Sequence, residues 1–465
     1  MGKRLELIWP NKDKVLLGLE EDSKPIWGTK ADLGPQPLVQ LEAVGQVNHD
    51  NPNELYEQGD NLLIKGDNLV ALKALEQHFT GKIKCIYIDP PFNTGNAFEH
   101  YDDGLEHTIW LSMMKARLEI LRKLLKRDDG IIAIHIDENE LAYLRVLLDE
   151  ILGRRNFLAL VTVKAKAGAG VGQESFLFDI CEYLIMYGRE ADLCENLLPR
   201  LPQEMDRKTI DTYNKLFIRT GQKDLVTTIE GGMVGSIDVY RHRGYEIKTI
   251  ANKDRYTDFY GKNLNQIFRT TNPQGGLMKR VIPQLPKDDL ISIEYIPTKG
   301  RHAGKLSQFF FYRGALVTWL KDSAFIDKES SNLMKLVKSS NIWEENLYQG
   351  IAQEGGVEFQ QSKKPERLIQ RIIEMTTEPG DWVLDSFLGS GTTAAVAHKL
   401  GRKWIGIELG EHAETLCLPR LKRVVNGKDQ TGISKQVAWK GGGGFRYCLL
   451  QAKASLLSTL IHKMS

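Results

Sequence analysis

Cysteine is scarce in this chain, and what there is lies scattered: Cys85, Cys181, Cys194, Cys417 and Cys448 are the whole complement of 465 residues. Odd in number and far apart, they offer neither the spacing of a metal site nor the pairs of a disulfide framework. A reducing, cytoplasmic setting and no bound metal are therefore expected. Long apolar runs are missing too. None approaches the roughly 18 residues of a membrane-spanning helix, so no membrane partner is expected. The opening residues MGKRLELIWPNKDK mix charges of both signs without an apolar stretch and do not read as a targeting peptide. Internal repeats are absent, and the one low-complexity tract is GGGG at 441–444, which reads as a flexible loop. Net charge is small, +2, but unevenly spread. Residues 201–320 hold nineteen Lys and Arg against twelve Asp and Glu, a surplus of seven, and the rest of the chain carries a deficit of five. A basic middle inside an acidic frame suggests an insert that faces a polyanion.

What is present is mostly α/β. Leu62 to Lys65 reads as a short strand, residues 68–79 as a helix with apolar residues at helical spacing, and Cys85 to Ile88 as a second strand. That is the strand–helix–strand unit of a parallel sheet. HTIWLSMMKARLEILRKLLKR follows as a helix, GIIAIHID as a strand buried on both faces, ENELAYLRVLLDEILG as its helix and ICEYLIMYGR as a further strand. From 191 to 350 the periodicity breaks down, and polar-aromatic clusters such as DRYTDFYGKN and SQFFFYRG point to an inserted α+β module. The α/β pattern then returns: KKPERLIQRIIEMT as a helix with Pro365 at its start, strand 382–384, a glycine loop with its helix, and strand RKWIGIEL ending in Glu408.

Two constellations carry chemistry. In DSFLGSGTTAAVA, Gly389 and Gly391 sit between a strand and a helix, where glycine permits a sharp turn and close approach of a ligand to the backbone. Glu408 ends the next strand and suits the two hydroxyls of a ribose. The loop also fits G-x-G-x-x-A, the dinucleotide pattern, so by itself it leaves the cofactor open. The second is Asp89-Pro90-Pro91-Phe92. Two prolines fix their own φ and push the preceding residue into an extended conformation. The Asp89 carboxylate and the Pro90 carbonyl thereby become two rigid acceptors at a strand end. Two adjacent acceptors match the two hydrogens of an amino group, and Phe92 offers a flat face to a planar ring. A flipped-out base with an exocyclic amine fits both requirements. Asp67, at the end of strand 62–65, belongs at the same sheet edge, where a third acid can accept from an adenine amino group.

The segments GDNLVALKAL (66–75), DPPFNTG (89–95), GIIAIHIDENE (130–140), CEYLIMYGR (181–189), KKPERLI (363–369), DSFLGSGTT (385–393), IGIEL (405–409) and WKGGGGFRY (439–447), with the catalytic motif before the cofactor motif, resemble S-adenosylmethionine-dependent DNA amino-methyltransferases of the permuted β class. More closely, the chain resembles the modification subunits of type III restriction systems. The resemblance implies a Rossmann-like class I methyltransferase fold, with a circularly permuted, mostly parallel seven-stranded sheet and an inserted α+β target-recognition region. It implies an N-terminal extension at 1–60, a catalytic half at 61–190, target recognition at 191–350, a cofactor-binding half at 351–425 and a C-terminal extension at 426–465. Asp89, Pro90, Pro91 and Phe92 would be catalytic. Asp67, Asn68, Lys364, Asp385, Phe387, Gly389, Gly391, Thr392 and Glu408 would bind S-adenosyl-L-methionine. Double-stranded DNA is the implied substrate, with a second copy of the chain and a restriction or helicase subunit as further partners. Asp rather than Ser at 89 favours adenine N6 over cytosine N4 within the family. The family's usual tyrosine is replaced by Phe92, which keeps the stacking face and loses a hydroxyl.

Two other classes compete. A catalytically silent DNA-binding relative would have no need of an intact Asp89, Gly389, Gly391 and Glu408. A nicotinamide-dependent oxidoreductase would leave the DPPF segment without a role. A cytosine ring-carbon methylase would need a Pro-Cys nucleophile, and none lies near this motif. His135 reads as a packed strand residue, Tyr183 and Tyr187 as packing residues of which one could wall the base pocket, and KAKAGAGVGQ at 164–173 as either a loop that gates DNA or cofactor or a plain linker.

Overall fold

The computed structural model describes residues 5–19, 24–34, 37–47, 59–93, 106–165, 180–194, 200–230, 235–250, 257–272, 281–287, 289–297, 304–327, 332–338, 340–345, 347–348, 350–357 and 363–451. Most of the 164–173 loop therefore lies outside the described residues. The chain divides into two compact units, one of residues 1–199 with 340–465 and the other of residues 200–339.

The first unit has one large sheet, beside a two-stranded one of Val15–Leu19 and Pro25–Gly28. In chain order the strands of the large sheet are β1 (Leu38–Gly45), β2 (Asn61–Lys65), β3 (Ile83–Ile88), β4 (Ile131–Ile136), β5 (Phe157–Lys164), β6 (Cys181–Gly188), β7 (Ile342–Trp343), β8 (Trp382–Asp385), β9 (Lys403–Glu408) and β10 (Gly444–Leu450). Their spatial order is β7-β5-β6-β4-β3-β8-β9-β2-β10-β1. The seven strands from β5 to β2 form the expected permuted seven-stranded sheet, parallel except for β6, which runs antiparallel to both β4 and β5. Permutation is visible in the pairing of β3 with β8: Leu384 lies beside Ile86 although almost 300 residues separate them. Every residue of β3 and β4 is buried, as expected for strands covered by helices on both faces.

The covering helices are α1 (Asn68–Phe79), α2 (His107–Leu124), α3 (Glu138–Leu148), α4 (Glu366–Thr376), α5 (Thr392–Lys399) and α6 (Leu418–Val425). Leu69, Leu72, Leu75 and Phe79 of α1 join Trp110, Met114 and Leu121 of α2 in one core layer. Leu368, Ile372 and Ile373 of α4 join Ala395, Leu421 and Val424 in the other. No described helix is long and apolar enough to cross a membrane.

Three strands extend this sheet. β10 and β1 pair antiparallel at one edge, so segments expected to be terminal extensions are part of the sheet. The 441–444 tract is not a loose loop. Gly441, Gly442 and Gly443 all take positive φ, Gly443 accepts a bond from the Gln46 amide, and a Cβ on Gly441 would lie 2.6 Å from the Gly427 nitrogen. Glycine is needed there to turn the chain tightly against α6 and into β10.

The second unit carries an eight-stranded sheet. Its spatial order is Gln222–Glu230, Ser236–Arg243, Leu290–Tyr295, Ser307–Tyr312, Ala315–Trp319, Ile267–Thr271, Lys215–Arg219 and Glu246–Thr249, antiparallel throughout. A three-stranded sheet and two short helices, Arg207–Thr212 and Thr257–Lys262, complete it. The unit runs from 200 to 339 rather than from 191 to 350. Cys194 packs in the core of the first unit, and β7 pairs with β5 there.

Candidate active site

Parallel strands deliver their ends to one edge of the sheet. Asp67 follows β2, Glu408 ends β9, Asp385 ends β8 and Asp89 follows β3, so four acids line the edge of four adjacent strands. Because β6 runs the other way, its beginning lies at this edge too: Tyr183 pairs with Ile136, and Glu182 comes next.

Asp89 is the centre of a charged cluster. Lys364 Nζ lies 2.9 Å from Asp89 Oδ2 and 3.7 Å from Glu182 Oε2. Glu182 also lies 2.7 Å from His135 Nε2 and accepts a bond of 2.7 Å from the Tyr348 hydroxyl. His135 is fully buried, with Tyr87 Oη 3.4 Å from its Nδ1. Asp89 Oδ1 is buried and has no hydrogen-bond partner among the described residues. Burial raises the Asp89 carboxyl above the usual range, opposed by Lys364 and His135. Burial would also raise Glu182, but Lys364, His135 and Tyr348 reverse this and hold it far below the usual range. Lys364 loses from burial and gains more from the two carboxylates, so its ammonium is held more firmly than usual.

The rest of the motif is fastened around this cluster. The Pro91 carbonyl accepts a 2.8 Å bond from the indole N–H of buried Trp110. Phe92 lies nearly parallel to the His135 ring, at 6.3 Å and 14°, and Lys364 Nζ is 4.8 Å from the Phe92 centroid. Lys364, expected with the cofactor residues, therefore stands beside Asp89. Its buried position follows from the turn before α4, which leaves Lys363 and Lys364 pointing inward.

The residues expected to bind the cofactor gather at the strand ends. Asp67 caps α1 through a bond from the Val70 N–H and pairs with Arg117 Nη2 at 3.3 Å. Asn68 donates to the Ser386 carbonyl at 2.7 Å, and its Oδ1 accepts from Arg117 Nε. Asp385 accepts the Phe387 N–H at 2.9 Å, closing the turn that starts the glycine loop. Gly389 and Gly391 have φ of +56° and +81°. Glu408 Oε2 accepts the Gly389 N–H at 2.7 Å and Oε1 the Gly410 N–H at 3.3 Å. Phe387 is half-buried, packed on the core. Thr392 is placed differently from expectation. Its hydroxyl is buried and engaged by Arg420 Nη1 at 2.8 Å, so it braces the loop from beneath.

Sequence reasoning did not find Glu182, Tyr348 or Arg117 as site residues. Glu182 stands at the start of an apolar strand, and only the antiparallel direction of that strand brings it here. Tyr348 and Arg117 arrive from elements with no local signature. His135, read as packing, does pack, and also links Tyr87, Phe92 and Glu182. Tyr187 packs and donates to Asp149 at 2.6 Å.

The chain is similar to known proteins over most of its length. The chain is 38% identical over 427 residues to the "Probable type III restriction-modification enzyme HindVI Mod subunit" of Haemophilus influenzae, covering 88% of this chain and 56% of that protein. It is 27% identical over 418 residues to the type III restriction-modification enzyme EcoPI Mod subunit of Escherichia phage P1, covering 80% and 59%. With the type II methyltransferase M.KpnI of Klebsiella pneumoniae it shares 29% over 342 residues, covering 71% and 75%. The chain thus spans little more than half the length of the type III proteins it matches. The family described as DNA methylase matches residues 83–417, from the start of β3 to beyond Glu408, and the chain belongs to that family.

Proposed function

We propose that this chain transfers a methyl group from S-adenosyl-L-methionine to the exocyclic N6 amino group of adenine in double-stranded DNA, with the target base turned out of the helix. One observation carries the reading: Asp89 presents a half-buried carboxylate whose Oδ2 is taken by Lys364 while the buried Oδ1 has no hydrogen-bond partner among the described residues. A buried acceptor without a donor is costly unless a ligand supplies one. An exocyclic amine supplies two hydrogens, one for Asp89 Oδ1 and one for the Pro90 carbonyl.

The cofactor residues fit the group. Glu408 ends β9 and accepts the Gly389 and Gly410 amides, which places a carboxylate, suited to the hydroxyls of a ribose diol, beside the glycine loop. The positive-φ glycines let a ligand approach the backbone, and the row of acids suits a cation. When bound, S-adenosyl-L-methionine supplies a methyl group activated by its sulfonium.

The chain's own residues do the rest by positioning and electrostatics. Asp89 and Pro90 hold the amine so that its lone pair leaves conjugation and faces the methyl carbon. Phe92 stacks on the base. Lys364 favours the ionised form of Asp89 against its burial. As the nitrogen gains carbon it releases a proton, for which Asp89 Oδ1 is the adjacent acceptor. The basic middle segment would grip the DNA. The setting would be cytoplasmic, and a second copy and a restriction or helicase subunit are the protein partners to seek.

Labelled methyl transfer to unmethylated genomic DNA tests the reading. Asp89→Ala is expected to lower it by at least about two orders of magnitude, with calorimetric cofactor affinity nearly unchanged. Activity above about a tenth of wild type would overturn the assignment of Asp89. Sequencing of the modified bases separates N6-methyladenine from N4-methylcytosine.

A further inference from the structure

Glu140 is a fully buried carboxylate in the first turn of α3, and nothing in the proposed chemistry uses it. Its Oε1 accepts a 2.6 Å bond from Asn93 Nδ2 and lies 2.7 Å from His107 Nδ1, while Oε2 has no partner among the described residues. Asn93 is the residue after Phe92, and its φ of +61° lies in the left-handed region, which asparagine enters more readily than most residues but at some cost. The charge-assisted bond that Asn93 donates to Glu140 holds it there. His107, from the first position of α2, converges on the same oxygen, and its ring lies 5.4 Å from that of Tyr143. One buried carboxylate on α3 thus ties down the chain immediately beyond the stacking residue.

We propose that Glu140 is a positioning residue for methyl transfer: through Asn93 it holds the left-handed turn that fixes the Phe92 ring against the target base. This rests on the function proposed above. It differs from a general packing role, because a buried acid that only stabilised α3 would act on folding and not through Asn93.

A double-mutant cycle on the rate of methyl transfer, with cofactor affinity and thermal midpoint measured on the same proteins, tests it. Glu140→Leu removes the acceptor. Asn93→Gly tolerates positive φ but deletes the donor, and it buries no new group, so it remains informative even where Glu140→Leu folds poorly. Each is expected to lower kcat by about 10- to 100-fold, the scale of a small misplacement near the reacting atoms. The double variant should be no slower than the slower single variant, since both remove one bond. Glu140→Gln, whose amide oxygen can accept the same bonds, should recover kcat to near the wild-type value. Cofactor affinity should stay near wild type throughout. Multiplying effects in the double variant, an unchanged kcat in Asn93→Gly, or Gln no better than Leu would each overturn the inference while wild-type transfer upholds the function. No transfer by the wild-type protein would overturn both.

Discussion

Asp385 shows how burial tunes one residue of the strand-end row. It is almost fully enclosed, and burial pushes its carboxyl up to about 7, with Asp89 and Glu408 adding repulsion of the same sign. Between its ordinary value of 3.8 and about 7 the folded chain holds a proton there that the unfolded chain has released. Its contribution is therefore complete at acid pH and is lost as pH rises through that window, at up to about 1.4 kcal/mol per pH unit. Asp385→Asn keeps an oxygen for the Phe387 N–H and cannot ionise. The variant should gain stability relative to wild type as pH rises from 5 to 8, read from urea midpoints. Parallel pH profiles for the two proteins would show that Asp385 stays ionised in the fold.

Among the elements, three helix starts meet under the glycine loop. Glu366 opens α4, Thr392 opens α5, and Arg420 lies in the first turn of α6. Arg420 joins Glu366 at 2.8 Å, Thr392 Oγ1 at 2.8 Å and the Ser390 carbonyl at 3.2 Å. Lys399, at the end of α5, pairs with Glu366 at 2.8 Å and Asp429 at 2.9 Å. Of the four charges, Glu366 and Arg420 are fully buried and Lys399 and Asp429 nearly so. Removing one partner from such a cluster typically costs about 3–5 kcal/mol, because the remaining charges stay buried without compensation. Arg420→Met, similar in volume, should lower the urea midpoint by a corresponding amount and weaken cofactor binding through the loosened loop. A midpoint within error of wild type would mean that the cluster is solvated.

For the whole molecule, the basic surplus bears on how DNA would be held. Arg241 and Arg243, on strand Ser236–Arg243, are not bare cations: Arg241 pairs with Asp289 at 3.1 Å and Arg243 with Asp224 at 3.0 Å. Both pairs are substantially exposed, and exposed pairs are weak enough for a phosphate to displace the aspartate. Lys253, Arg255, Lys279 and Arg280, the other cations singled out in the sequence, lie outside the described residues. Each phosphate contact adds about 0.9 to the slope of log affinity against log salt. Replacing Arg241 and Arg243 together by Ala should flatten the slope by up to about two units and leave cofactor affinity intact. An unchanged slope with unchanged affinity would assign these arginines to the surface of the second unit alone.

The sequence by itself determined the α/β grammar of the first unit, since continuous apolar strands and helices at 3.6-residue spacing are local patterns that survive any tertiary arrangement. It also determined the strand-end acids and the positive-φ glycines. A parallel strand must end at the sheet edge, and the turns at 389 and 391 admit little but glycine. Tertiary structure decided the rest. The reversal of β6 brings Glu182 to Asp89, and nothing in CEYLIMYGR states its direction, because both directions bury the same residues. The inward turn of Lys364 depends on a counter-charge that lies more than 270 residues away in sequence. The 441–444 tract, which composition makes look loose, is held in a tight turn because β10 and β1 pair beyond it. The bond from Asn93 to Glu140 exists only because β3 and β4 are neighbours, so the helix after β4 begins within reach of the turn after β3.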